Sequence, residues 1–129
     1  MGLPIKDGKI TTPYHKTGKM WSKGYHTGVD FAVKVGTEVV AVADGKIEPA
    51  NWGKAYGTQA VQKVAGGWVI YAHLSELDVK PGQEIKKGQK IGKSGNTGNS
   101  SGPHLHFEVR DGARWSASKD VDPKDILAA

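Results

Sequence analysis

Five residues of this chain could together bind a metal and move protons: His26, Asp30, His73, His104 and His106. His104 and His106 sit one residue apart in "SGPHLHFEVR". In an extended strand, residues i and i+2 share a face. His104, His106, Glu108 and Arg110 then lie on one side, and Leu105, Phe107 and Val109 form an apolar face on the other. The two imidazoles either open into one cleft or share a solvated face. In "GYHTGVDFA", three residues separate His26 from Asp30. Gly24 and Gly28 argue against a helix there, but a turn entering a strand can bring both side chains to one point. Asp30 lies among Val29, Phe31, Ala32 and Val33, where a carboxylate is costly to bury unless it is paired or coordinates a metal. Its competing role is to cap the preceding turn. His73 ends the apolar run Trp68 to Ala72 and reads either as a satisfied, partly buried histidine or as a catalytic group. His15, beside Lys16, reads as a surface residue.

The chain has no cysteine, so any metal is held by His, Asp or Glu. Neutral imidazole and carboxylate suit zinc. A catalytic zinc centre takes three protein ligands, keeps a fourth position open and lowers the pKa of its water to roughly 7. Five candidates for three places leave two imidazoles for acid–base work or for stabilising an oxyanion. Spacing does not tell which of His104 and His106 binds the metal.

The elements that must position these groups read as short strands. A length of 129 residues suits one domain. The chain has 18 glycines, and from Val29 onward it runs in alternating apolar and polar stretches with Gly at the breaks. Asp44-Gly45 and Gly66-Gly67 are hairpin signals, and Pro81-Gly82 is a turn signal. "VKVGTEV" from Val33 is echoed by "VKPGQEI" from Val79, each running on toward another hairpin. The echo is either two copies of a strand–turn–strand unit facing each other or chance. Residues 1–28 and the neutral stretch "SGNTGNSSGP" read as loops, the second ending beside His104. "VDPKDILAA" has room for one short helical turn.

A net charge of +5 suits a polyanionic partner. The densest lysine run, "KPGQEIKKGQKIGK", has the spacing of a solvated hairpin face, and no nucleic-acid motif accompanies it. The N-terminus has no signal-peptide-like apolar stretch, and no run approaches the roughly 20 apolar residues of a membrane helix. No nucleic-acid or membrane partner is expected.

The runs "HTGVDFA", "GTEVVAVADGKI", "YAHLSEL", "VKPGQEIKKGQKIGKSGNTGNSSGPHLHFEVR" and "VDP", in this order, resemble the lysostaphin-type zinc endopeptidases, over residues 10–126. That family cuts the peptide part of bacterial peptidoglycan, at glycine bridges or at the D-alanyl link to a diamino acid. The resemblance implies one zinc ion per chain held by His26, Asp30 and His106. It implies that His104 is the proton carrier and that His73 is the second catalytic imidazole, stabilising the oxyanion. It implies a mainly β, antiparallel and sandwich-like fold with biotinyl- and lipoyl-like hairpins and long loops walling a groove. Tyr71, two residues from His73, orders that ring or is a core tyrosine. Residues 1–129 are expected to form a single catalytic domain with no separate wall-binding domain, acting as a monomer on peptidoglycan. A phage lysin, a tail component or a domain excised from a longer secreted protein fits this chain. Two other functions compete: a catalytically silent wall-binding or amidase-activating module, and a carrier domain modified on Lys46. The first usually lacks some of the five residues, and the second leaves the histidines unexplained.

Overall fold

A computed structural model describes residues 4–5, 10–12, 28–49, 56–65, 67–96, 103–111 and 119–121. These form the strands β1 (Ile10–Thr12), β2 (Val29–Phe31), β3 (Glu38–Val40), β4 (Gly45–Ile47), β5 (Thr58–Val64), β6 (Gly67–Leu77), β7 (Glu84–Ile85), β8 (Lys90–Ser94), β9 (Leu105–Asp111) and β10 (Lys119–Val121). No α-helix occurs among the described residues. His15, His26, the segment Tyr14 to Tyr25, most of the neutral stretch before His104 and the tail after Val121 lie outside them.

The strands join in the order β1-β2-β9-β6-β5-β4-β7, with β10 on β9 and β8 linking β6 to β3. Every pairing is antiparallel. The many short strands are what the alternating sequence predicts, and their antiparallel arrangement is what the family resemblance implies. Alternation along β2, β6 and β9 sends Phe31, Val69, Tyr71, Leu105, Phe107 and Val109 into one large core with Val39, Ile85 and Ile91. Fully burying a side chain of this size contributes about 1.5–3 kcal/mol. The opposite face carries a smaller cluster of Val61, Trp68, Ile70 and Ala72, with Tyr56 packed on it.

The sequence echo is a pseudo-twofold. Gly36 and Gly82 take the same turn, at φ 92° and 89°. That left-handed conformation favours glycine. Thr37 N donates to Lys34 O, and Gln83 N donates to Lys80 O. The strand after each turn pairs with the second strand of the other copy, β3 with β8 and β7 with β4. The turns also dock reciprocally. Gly36 N donates to Ser94 O, and Ser94 N donates to Thr37 O, both at 2.8 Å. Gly82 N donates to Ile47 O at 2.7 Å, and Ile47 N donates to Gln83 O at 2.9 Å.

Asp44-Gly45 is not a hairpin turn. The flanking strands β3 and β4 take different partners, β8 for one and β5 and β7 for the other. Gly45 serves close approach instead, since an added Cβ would collide with the Lys63 carbonyl oxygen. The Asp44 carboxylate accepts a hydrogen bond from Lys87 N at 2.8 Å. The Gly66-Gly67 signal is borne out to the extent that Val64 pairs with Gly67 across an antiparallel hairpin. The lysine run lies on a solvated face, where Lys86, Lys90 and Lys93 pair loosely with Asp44, Asp78 and Glu76. Such exposed pairs contribute little.

Candidate active site

Three strands align the site. Asp30 of β2 pairs with His106 of β9, which pairs in turn with Ala72 of β6. Directly opposed residues in adjacent strands share a face, so Asp30 and His106 project together above the small Ala72 side chain. His106 Nδ1 is 3.1 Å from Asp30 Oδ1. His104, two residues earlier on the same face, brings Nε2 to 3.6 Å from that same oxygen. Asp30 is therefore a point of convergence for both imidazoles and not merely the cap of a turn. Gly28 permits this approach: an added Cβ would collide with the Phe107 carbonyl oxygen and come within 3.0 Å of His106 Cε1.

His73 reaches the site by a different device. Ala60 pairs with Tyr71 while Thr58 pairs with Leu74, so β6 carries one more residue than β5 over this interval. That is a β-bulge. His73 takes φ 60° there, the single positive-φ residue other than glycine among the described residues. Tyr71 and Leu74 both lie in the large core, and Ala72 lies in the opposite cluster. His73 joins the Ala72 side, with its ring centroid 4.7 Å from that of His104 and 6.0 Å from that of His106. At the bulge β6 also leaves β9 and takes up β8.

The bulge breaks the i, i+2 relation between Tyr71 and His73. The Tyr71 hydroxyl donates to Gln62 Oε1 at 2.9 Å and accepts from Val42 N at 3.1 Å, inside the core. Tyr71 is a core tyrosine.

The polar row of β9 continues away from the imidazoles, and it is buried. Glu108 is fully inaccessible, and Arg110 retains 4% exposure. The Glu108 Oε1 atom lies 3.1 Å from His106 Nε2 and accepts the Tyr56 hydroxyl at 2.6 Å. Arg110 donates to Glu108 Oε2 at 2.7 Å. Ile70 and Trp68 stand beside Glu108 and Arg110 in register. The apolar cluster thus covers the pair on one flank, and Tyr56 meets His106 edge-on at 5.5 Å. Sequence alternation had placed Glu108 and Arg110 in line with the histidines without assigning them a role. No local signal marks Tyr56.

Electrostatics follow from this enclosure. Burial pushes the His106 imidazole down, but hydrogen bonds and charges from Asp30 and Glu108 more than offset it, raising the value from 6.5 to about 9. In the metal-free protein the two acidic neighbours favour the protonated ring.

Asp30 and His106 offer one oxygen and one nitrogen to a common point, a donor pair that suits zinc. Among the described residues no group of three metal-binding side chains is arranged to hold an ion. The third candidate, His26, lies outside them.

A family model described as Peptidase family M23 matches residues 24–123. The chain is 48% identical over 107 residues to the glycyl-glycine endopeptidase ALE-1 of Staphylococcus capitis, covering 81% of this chain and 29% of that protein. It is 41% identical over 85 residues to the peptidoglycan DD-endopeptidase ShyA of Vibrio cholerae, covering 65% of this chain and 20% of that protein. It thus spans less than a third of either relative. The fold superposes on the catalytic domain of lysostaphin from Staphylococcus simulans with a TM-score of 0.86 and 35% identity, covering 96% of this chain and 95% of that domain.

Proposed function

The chain belongs to peptidase family M23, and on that premise we propose that it is a zinc-dependent endopeptidase that hydrolyses peptide bonds in the cross-links or stem peptides of bacterial peptidoglycan. The observation that carries this reading is the convergence of His104 Nε2 and His106 Nδ1 on Asp30 Oδ1, at 3.6 and 3.1 Å, with the His73 ring tilted against that of His104. Endopeptidase activity is supported by both relatives, and the peptidoglycan substrate by the peptidoglycan DD-endopeptidase.

In this reading His26, Asp30 and His106 hold one zinc ion. When bound, zinc supplies Lewis acidity to the scissile carbonyl and makes water acidic enough to ionise near neutral pH. His104 Nε2 takes the proton of the attacking water and passes it to the leaving amine. His73 donates a hydrogen bond to the oxygen that gains negative charge as the carbonyl carbon becomes tetrahedral. The ring contact between His73 and His104 keeps both imidazoles on one side of the substrate. The positively charged surface favours adsorption to the anionic wall.

The test is mass spectrometry of soluble fragments released from purified peptidoglycans, with and without a chelator. Chelator-sensitive fragments with new amino termini are expected, and those termini name the bond. No release from glycine-bridged or directly cross-linked walls, by protein shown to carry zinc, overturns the reading and favours a wall-binding module.

A further inference from the structure

Glu108 and Arg110 form an ion pair at 2.7 Å with almost no access to water. Such a pair is poor evidence of stabilisation, because desolvating two charges costs several kcal/mol per ion and apolar replacements are often neutral or better. What distinguishes this pair is where Glu108 points its second oxygen. Oε1 lies 3.1 Å from His106 Nε2, and Oε2 holds the guanidinium. The Tyr56 hydroxyl donates to Oε1 at 2.6 Å and its ring stands edge-on to His106. The carboxylate is thereby fixed from two sides and cannot rotate away from the imidazole.

We infer that Glu108, held by Arg110 and Tyr56, is a positioning residue that keeps the Nε2–H of His106 engaged and so presents Nδ1 to the metal position beside Asp30. The inference rests on the proposed role of His106 as a ligand and names the set of groups that orients it. A carboxylate behind a ligating imidazole fixes the tautomer and the ring plane, and its loss typically weakens metal binding by about 10–100-fold. Arg110 and Tyr56 act one step further back, through the carboxylate that both of them hold.

The experiment is a zinc competition titration of the full chain against a chromophoric chelator, with cobalt absorption as a second readout. Four variants are compared: E108Q, Y56F, H106A and the double variant E108M/R110M. Circular dichroism and thermal melting establish that each is folded. The double variant guards against misfolding, because it removes both buried charges together and leaves neither unpaired. It is expected to melt near the parent temperature and, above about pH 9 where the parent His106 has given up its proton, to bind zinc about 10–100-fold more weakly, with altered cobalt band intensities. Y56F is expected to show a smaller loss in the same direction. If folded E108M/R110M and E108Q keep parental zinc affinity and cobalt spectrum while H106A loses zinc, the positioning role is overturned and the ligand role stands. If H106A also keeps zinc, the ligand assignment itself fails.

Discussion

The rings of His73 and His104 lie 4.7 Å apart because His73 occupies a bulge at φ 60°, on the strand face that regular alternation would deny it. A left-handed conformation costs roughly 1–2 kcal/mol for an ordinary L-residue and less for Asn. Both H73N and H73V are expected to lose kcat by about 100-fold or more. H73V is expected to be less stable than H73N by roughly 1–2 kcal/mol, because a branched Cβ tolerates positive φ poorly. Urea unfolding of the pair decides it, and equal midpoints would remove the strained bulge from the account.

His104 and His106 share a face but are assigned different work. H106A is expected to lose both zinc and activity. H104A is expected to keep zinc near one equivalent while kcat falls about 100- to 10,000-fold. Metal analysis of the purified variants alongside their kinetics separates the two. An empty site in H104A would exchange the assignments.

The sign of the pH dependence should differ between metal-free and loaded protein. The folded value of His106, about 9, lies above the 6.5 of a free imidazole. Its protonated ring therefore adds stability to the metal-free protein below pH 6.5, and that contribution is lost as the pH rises through about 9. Zinc requires the neutral ring. Zinc affinity should thus climb over the same interval, with proton release on binding and an acidic limb in the activity profile. Calorimetric scans are expected to show a falling Tm for metal-free protein and a maintained or rising one for loaded protein. Parallel slopes would count against a cationic His106.

Tyr71 offers a control. Burial pushes its phenol above the ordinary tyrosine value, against a smaller opposing pull from the Val42 amide. Y71F strips the partners from Gln62 and the Val42 amide, at a cost of about 1–3 kcal/mol, while zinc affinity and kcat per folded molecule stay at the parental level. A kcat loss matching that of H73N would return Tyr71 to the site.

Much of the architecture was legible locally. Alternation in "HLHFEVR" needs only the two-residue period of a strand, and the structure keeps it: Leu105, Phe107 and Val109 face the core, with His106 and Glu108 opposite. The echo between Val33 and Val79 reported a real pseudo-twofold because each turn carries its own geometric demand at Gly36 and Gly82. Asp44-Gly45 misled because the same dipeptide that suits a tight hairpin also suits close strand packing, and only the partner at Lys63 distinguishes them.

What the sequence by itself determined, then, was the β class, the inward row of β9 and the set of imidazoles available for chemistry, all properties of neighbouring residues. Tertiary structure decided which of them meet. The face of His73 depends on one extra residue measured against β5 and on the exchange of β9 for β8, neither of which is written within β6. The burial of Glu108 depends on Tyr56 and Ile70, residues distant along the chain, and burial is what turns a plain strand carboxylate into a fixed partner for His106. Periodicity is set by the backbone alone, whereas depth and pairing are set by which strands come to lie beside one another.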